Sequence, residues 1–147
     1  MLKIGEKFMN MFFLNEDNIN LAFDIRKQVF INEQNVPEEI EIDGSDKDAK
    51  NMILTINNKP IGTGRLIVID DKMYIGRVAI LKEYRKKGYA TNLINFLLNE
   101  AKDMGYNEVF IHAQSYVKDF YEKLGFKKFG EEFLEANIPH INMKITF

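Results

Sequence analysis

The stretch from Met73 to Ala113 limits the possible folds more than any other part of the chain. It reads as a strand, MYIGRVAIL, a basic connection that contains glycine, EYRKKG, an apolar helix pattern, and a second strand, EVFIHA. A strand, a helix and a strand in succession form a parallel pair with a right-handed crossover. We therefore expect a sheet with at least one parallel pair and with the basic connection at the carboxyl end of a strand.

The other strand and helix patterns indicate a mixed α/β domain. Asn51 to Leu81 reads as a three-stranded antiparallel meander, and the C-terminal part reads as a short helix, YVKDFYEKL, followed by two strands. Near the N-terminus, a strand around Met11 to Leu14 precedes a helix that Asn15 or Asp17 caps. The predicted order is strand, helix, three strands, helix, strand, helix and two strands, so most neighbouring strands are antiparallel.

Composition excludes several classes of protein. The chain has 147 residues, 46% hydrophobic and 29% charged, with a formal charge of -2, which predicts a single domain over residues 1–147 and argues against disorder and general nucleic-acid binding. No apolar run approaches the roughly 20 residues that span a bilayer, and no secretory leader is evident. We expect a cytoplasmic protein without a membrane partner. The absence of cysteine removes disulfides, thiolate zinc sites and cysteine-bound intermediates, and we expect no metal.

The connection RKKGYA admits two interpretations. One is a solvated turn, because basic residues often precede a helix. The other is a phosphate site, because the N–H groups in the first turn of a helix lack partners and Gly88 lets an anion approach the backbone. Arg85, Lys86 and Lys87 add positive charge. The segment is not a Walker loop, and the GTG sequence at Gly62–Gly64 lies inside a strand, where it cannot serve as a dinucleotide fingerprint.

RKKGYA is also similar to the R/Q-x-x-G-x-G/A signature of the GNAT superfamily of acyl-CoA-dependent N-acyltransferases, with Ala90 at the final small position. The segments IRKQVFINEQNVP, IGTGRL, HAQ, FYEKLGF and IPHINM resemble the ElaA-like and YjcF-like branch of that superfamily, and the resemblance spans Met11 to Phe147. It implies the GNAT fold: a central mixed, mostly antiparallel sheet of six to seven strands, about four helices, and one parallel β-α-β crossover at the CoA site.

The resemblance further implies acetyl-CoA as co-substrate and a site for it. The backbone N–H groups of the connection would bind the pyrophosphate, and the preceding strand would pair with the pantetheine amides. A backbone N–H near Val78 or Ala79 would stabilise the oxyanion of the reaction. The implied cofactor residues are Val78, Ala79, Ile80, Arg85, Lys86, Lys87, Gly88, Tyr89, Ala90 and Thr91.

Two residues are candidates for proton transfer. Tyr121, in FYEKLGF, is where many GNAT enzymes carry the tyrosine that protonates the CoA sulfur, or it is a core aromatic; Tyr116 is the alternative donor. His140, in IPHINM, is the candidate general base, since some relatives with this ending use the histidine as the catalytic base and imidazole titrates near neutral pH. The alternative is that His140 has only a structural role. His112 reads as a strand residue that is packed or hydrogen-bonded near the core.

Arg26, Arg65 and Arg77 all lie among apolar neighbours, where an unpaired charge is costly. If the DDK connection is a three-residue loop, Arg65 and Arg77 face each other across the hairpin, which is destabilising unless an anion lies between them. That anion is either a carboxylate of the chain, from Glu33, Asp43 or Asp46, or a carboxylate of the substrate.

Three further residues complete the predicted acceptor pocket. Glu33 would line it from the first helix, together with Gln34. Gln114 stands where some relatives carry another arginine, which argues against an acceptor with two negative charges.

The leading interpretation is an acetyl-CoA-dependent N-acetyltransferase that transfers the acetyl group directly, in a ternary complex, to the primary amine of a small molecule. If the arginines bind substrate, that amine also bears a carboxylate or phosphate. The alternatives are a GNAT-fold module that binds acyl-CoA or a protein without catalysis, and an enzyme that acetylates protein lysines or N-termini. Because dimers are common in the superfamily, the resemblance also implies a homodimer.

Overall fold

A computed structural model describes residues 2–4 and 7–147. The strands are β1 (Leu2–Ile4), β2 (Lys7–Phe13), β3 (Ala49–Ile56), β4 (Lys59–Ile69), β5 (Lys72–Ile80), β6 (Glu108–Gln114), β7 (Lys127–Glu135) and β8 (Ile138–Thr146). The helices are α1 (Asn20–Arg26), which a π-helical segment extends to Glu33, α2 (Glu38–Glu41), α3 (Tyr89–Asp103) and α4 (Lys118–Lys123). Three short 3₁₀ turns, Ser45–Asp48, Lys82–Tyr84 and Ser115–Val117, connect them.

The strands form one sheet in the order β1-β2-β3-β4-β5-β6-β8-β7. Every neighbouring pair is antiparallel except β5 and β6, which α3 connects. The predicted GNAT-type mixed sheet and its single parallel crossover are therefore confirmed. The short strand β1 adds an eighth strand to the six or seven expected.

Helix α3 packs closely on one face of the sheet. Its Leu93 and Leu97 lie over β4, where a Cβ atom added to Gly64 would be 2.9 Å from Leu93 Cδ2 and 3.0 Å from Leu97 Cδ1. A Cβ added to Gly62 would come within 2.7 Å of Ile80 Cδ1. Gly64 therefore serves helix–sheet packing, because no side chain fits between it and α3, and Gly62 leaves room for the side chain of Ile80 on β5.

Helix α1 covers part of the opposite face, where Ile25 and Val29 pack on Ile53, Ala79 and Leu81. Its predicted cap is wrong: α1 begins at Asn20 without a side-chain cap. Asn15 instead closes a local turn, where its side-chain oxygen accepts a hydrogen bond from the Asp17 N–H. This turn separates strand from helix, so the capping residues predicted from sequence lie outside the helix.

The β4–β5 hairpin also differs from the prediction. Its turn has two residues, Asp70 and Asp71, both with positive φ, rather than the three of DDK. As a result Arg65 is opposite Gly76, and Arg77, at φ 51°, lies in a bulge. The condition under which Arg65 and Arg77 would face each other, a three-residue loop, is therefore not met, because the two-residue turn pairs Arg65 with Gly76.

No helix in residues 2–4 and 7–147 is long and apolar enough to cross a membrane.

Candidate active site

The parallel pair β5 and β6 opens into a cavity. Their described residues pair only at Tyr74 with Phe110 and at Ile75 with Ile111. Just beyond, the bulge sets two residues of β5, Arg77 and Val78, against one residue of β4. The two strands therefore separate toward their carboxyl ends, and a cavity of about 940 Å³ lies between them, where open α/β sheets bind ligands.

One edge of β5 faces this opening. The N–H of Leu81 donates to Ile61 O on β4 at 2.9 Å, so the backbone groups of Ala79, two residues earlier, also point to β4. Those of Val78 and Ile80 point the other way, toward the cavity, and Ile80 O accepts a hydrogen bond from Arg85 Nε at 2.8 Å. Within the described residues, Val78 pairs with neither β4 nor β6 in the strand register, so its main-chain groups form the open edge, and Ala79 lines the cavity beside it.

The connection that follows β5 presents backbone N–H groups to the same cavity. Gly88, at φ 85°, precedes the first residue of α3, and no side chain among the described residues caps the helix. The first-turn N–H groups of Tyr89, Ala90 and Thr91 have no partners inside the helix. A Cβ built on Gly88 would meet nothing within 4 Å, so the site is open to an anion that approaches the backbone.

Arg85 fixes this connection to the helical segment before Val36. Its Nη1 and Nη2 bind the two carboxylate oxygens of Glu33 at 2.5 and 2.8 Å. The bidentate pair raises the pKa of Arg85 and lowers that of Glu33 from their usual values. The Nε, Nη1 and Nη2 atoms of Arg85 therefore all donate hydrogen bonds within the chain. Glu33 forms its ion pair with Arg85 and not with Arg65 or Arg77.

Most of the residues predicted from sequence line this one cavity. They are Val78, Ala79, Ile80, Arg85, Lys86, Gly88, Tyr89, Ala90, Thr91, Arg65, Arg77, Gln114, Tyr121 and His140. Lys87, Arg26 and Glu33 are not part of its lining.

Tyr121 is both a core aromatic and a cavity residue. Its ring packs against Phe120 and Phe126, with centroids 5.0 and 5.6 Å away, and 6% of the residue is exposed. Burial raises the pKa of the Tyr121 hydroxyl well above its usual value. The phenol therefore stays protonated. Tyr116, the alternative donor, also lines the cavity but is 76% exposed.

His140 has an oriented ring. Its Nδ1 donates to Ile138 O at 2.6 Å, and because a carbonyl oxygen only accepts, the proton of the neutral ring is on Nδ1. The lone pair is then on Nε2, which lies 3.5 Å from Glu135 Oε2. The ring of Phe133 stacks on His140 at a centroid distance of 5.9 Å. His140 thus presents a basic nitrogen beside a carboxylate.

Sequence reasoning missed Glu135. Its Oε1 lies 3.2 Å from His112 Nδ1, so it links His112 and His140 at the cavity wall. The hydrogen bond with His112 lowers the pKa of Glu135 below its usual value. Partial burial opposes this shift, and the charges of His140 and Arg77 support it. The two-residue turn Ala136–Asn137 could have revealed this residue from the sequence. A turn of that length places Glu135 opposite Ile138, and therefore close to His140.

The three arginines are paired with carboxylates of the chain. Arg26, 1% exposed, binds Glu41 Oε1 and Oε2 at 2.5 and 3.0 Å and Asp46 at 2.8 and 3.1 Å. Arg65 binds Asp46 at 2.9 Å. Arg77 Nε lies 3.6 Å from Glu41 Oε1 and its Nη2 lies 3.8 Å from Asp43 Oδ2. Its Nη2 also donates to the carbonyl oxygens of Ile40 and Glu41 at 3.2 and 3.0 Å. Of the two alternatives for these arginines, the geometry favours pairing within the chain.

Asp46 is central to this network. Burial acts to raise its pKa, but the hydrogen bonds and charge of Arg26, with the charge and hydrogen bond of Arg65, lower it below the usual value. The network anchors the acidic segment that contains Glu41 and Asp43, which both line the cavity.

Gln114 contacts the other side of the cavity. Its side-chain amide and that of Gln34 exchange two hydrogen bonds, at 2.9 and 3.3 Å. The pair joins the end of the π-helical segment to the end of β6. The two hydrogen-bonded side chains therefore span the cavity between these two elements.

A strand edge that ends at a helix N-terminus fits an extended cofactor with a phosphate group at one end. That geometry is typical of acyl-CoA-dependent N-acyltransferases. The family model for the acetyltransferase (GNAT) domain matches residues 15–147. The chain belongs to this family and is an acyltransferase of the N-acetyltransferase class.

Relatives confirm the predicted branch. The uncharacterized N-acetyltransferase YjcF of Bacillus subtilis (strain 168) is 35% identical over 130 residues, which are 88% of this chain and 93% of YjcF. The crystal structure of Escherichia coli ElaA is 25% identical with a TM-score of 0.82, covering 95% of this chain and 99% of ElaA.

A GNAT family acetyltransferase from Elizabethkingia anophelis, solved with acetyl-CoA bound, has a TM-score of 0.73. It is 16% identical and covers 95% of this chain and 98% of its own. At that identity the similarity concerns the fold.

Proposed function

We propose that this enzyme transfers the acetyl group of acetyl-CoA directly to the primary amine of a small molecule. The observation that carries the proposal is the single cavity that joins the N-terminus of α3 to both Tyr121 and His140. A cofactor bound at one end and an amine at the other would meet between these two side chains. Direct transfer also agrees with a chain that contains no cysteine.

The cofactor end of the cavity, from Val78 to Thr91, suits acetyl-CoA. The N–H groups at the start of α3 would bind the pyrophosphate, and the open edge at Val78 would pair with a pantetheine amide. Lys86 adds positive charge at the cavity wall. The acetyl-CoA bound to the Elizabethkingia anophelis protein of the same fold supports this assignment.

The residues at the centre of the cavity would carry the proton transfers. An alkylamine with a pKa of about 10.4 is largely protonated at neutral pH, so His140 Nε2 first accepts a proton from the ammonium group, and the neutral amine then attacks the thioester carbonyl with its lone pair. A main-chain N–H near Val78 would stabilise the oxyanion. When the C–S bond breaks, the Tyr121 hydroxyl donates its proton to the departing thiolate. The products are an N-acetylated amine and free thiol.

The proposal is tested with a panel of primary amines and acetyl-CoA, with released thiol as the readout. We expect thiol release that depends on both substrates, and acetyl-CoA binding that calorimetry detects without any amine. Binding of acetyl-CoA without turnover on amines, amino acids or peptides would instead identify a module without catalysis. Turnover on peptides alone would identify a protein acetyltransferase. The homodimer implied by the resemblance remains a prediction.

A further inference from the structure

The end of the cavity that would receive the amine carries excess negative charge. It is lined by residues of the acidic segment, of β6, and of the β4–β5 and β7–β8 hairpins. Those used below are Glu41, Asp43, Arg77, His112, Glu135 and His140. The guanidinium groups of Arg26, Arg65 and Arg77 are paired with three carboxylates, those of Glu41, Asp43 and Asp46. Glu135 adds a fourth carboxylate, which leaves this acceptor end negative when the histidines are neutral.

Glu135 has one oxygen that no described residue satisfies with a hydrogen bond. Its Oε1 is occupied by His112 Nδ1 at 3.2 Å. Its Oε2 lies 3.5 Å from His140 Nε2, which is itself an acceptor in the neutral tautomer set by Ile138 O. Two acceptors that face each other are suited to a group that supplies several N–H donors. An ammonium group supplies three.

The arginines at this end are poorly placed to bind a substrate carboxylate. The Nε atoms of Arg65 and Arg77 have no hydrogen-bond partner among the described residues, and both atoms are buried. Arg77 Nη2 already donates to the carbonyl oxygens of Ile40 and Glu41. A carboxylate would have to compete with these contacts and with the nearby charges of Glu41 and Asp43.

Apolar side chains form much of the remaining wall. Phe30, Ile40, Ile69 and Tyr74 line the same cavity, and Ile40 and Ile69 are 46% and 48% exposed. A ligand with an apolar body would cover this surface and remove it from water. Together with the charge of Glu135, these walls suit an amine that is apolar at one end and cationic at the other.

We infer that the acceptor is an arylalkyl or alkyl amine without a carboxylate, and that Glu135 binds its ammonium group and positions it against His140. This inference rests on the proposed acetyl transfer, since it names the acceptor class of the same site. A charge-assisted hydrogen bond of this kind corresponds to roughly a 10- to 100-fold effect on binding.

The test compares amines that differ only by a carboxylate, phenethylamine with phenylalanine and hexylamine with 6-aminohexanoate, in thiol release from acetyl-CoA. We expect kcat/KM at least about 10-fold higher for the amine without the carboxylate in each pair. Glu135→Gln should raise KM for that amine about 10-fold or more and leave KM for acetyl-CoA unchanged. The matched control is Glu132→Gln, an exposed carboxylate on β7 outside the cavity, which should match the unaltered enzyme.

Equal or preferential use of phenylalanine and 6-aminohexanoate, or an unchanged amine KM in Glu135→Gln, would overturn the inference while acetyl transfer stands. Absence of thiol release with every amine would overturn the proposed function, and this inference with it. Unchanged acetyl-CoA affinity of Glu135→Gln by calorimetry would show that the variant is folded, so that a raised amine KM reports on the acceptor end.

Discussion

The two ends of the cavity present different kinds of chemical group, main-chain atoms at one end and side chains at the other. At the proposed cofactor end, the groups expected to bind are main-chain atoms of the β5 edge and of the first turn of α3, held by a glycine and a bulge. At the proposed acceptor end, they are side chains from the acidic segment, β5, β6, β7 and β8, held by hydrogen bonds and ion pairs. Main-chain binding depends on backbone shape, whereas side-chain binding depends on each residue. Substitutions should therefore have different consequences at the two ends.

The largest effect is expected where the two ends meet, at Tyr121. Tyr121→Phe keeps the ring contacts with Phe120 and Phe126 but removes the hydroxyl, so turnover should fall about 1,000-fold, within the range for general acids. Acetyl-CoA affinity should change little, because the hydroxyl is needed only as the C–S bond breaks. Turnover is measured by thiol release, and acetyl-CoA affinity is measured by calorimetry. Full turnover in Tyr121→Phe would show that Tyr121 is not the general acid.

At the acceptor end, Asp46→Asn should lower the free energy of unfolding by about 3 kcal/mol at pH 7, because Arg26 and Arg65 lose a buried partner. The pKa of Asp46 is lowered in the folded protein, so its stabilisation is complete above its unfolded pKa, about 3.9. It is lost as pH falls through the lower folded value. Urea unfolding at several pH values should show the two proteins converging below about pH 4, and a constant difference would contradict this.

His140→Ala should reduce kcat about 100-fold and abolish the acid limb of the pH–rate profile, since that limb reports protonation of the base. His112→Ala is the comparison within the same cluster. It removes a hydrogen bond to Glu135 but no proposed proton acceptor, so its acid limb should persist. Persistence of the limb in His140→Ala would assign the base to another group.

At the cofactor end, Gly88→Val should weaken acetyl-CoA binding about 30-fold in calorimetry, because a β-branched residue is strained at φ 85° and its side chain blocks the backbone. Gly105→Val is the matched control. Gly105 has φ 92° and equally open surroundings, outside the cavity. Gly105→Val should therefore introduce the same backbone strain but leave the affinity for acetyl-CoA unchanged. Equal loss in both variants would mean that the effect is only conformational.

The smallest effect is expected for Lys87→Ala, less than about 3-fold on acetyl-CoA affinity. The side chain of Lys87 does not line the cavity, and an exposed charge contributes little. A loss as large as that of Gly88→Val would show that side-chain charge, rather than main-chain geometry, binds the cofactor. Calorimetry at two salt concentrations separates the two contributions.

The cofactor end could be predicted from sequence because its determinants are local. RKKGYA follows a strand pattern and opens a helix pattern, and this order alone positions Gly88 at the carboxyl end of β5. The acceptor end could not be predicted, since its contacts join residues far apart in the chain. Glu135 reaches His112 through the register of β7 and β8 with β6, and Arg26 reaches Asp46 across 20 positions. The bulge at Arg77, which opens the cavity, has no marker in its own sequence.

The most direct test of the account is a crystal structure of the enzyme with acetyl-CoA. We predict that pyrophosphate oxygens lie about 2.7–3.1 Å from backbone nitrogens between Lys87 and Thr91. The pantetheine should run along Val78, and the thioester sulfur should lie beside the Tyr121 hydroxyl. A pyrophosphate held by lysine side chains away from the start of α3, or a sulfur remote from Tyr121, would contradict the account.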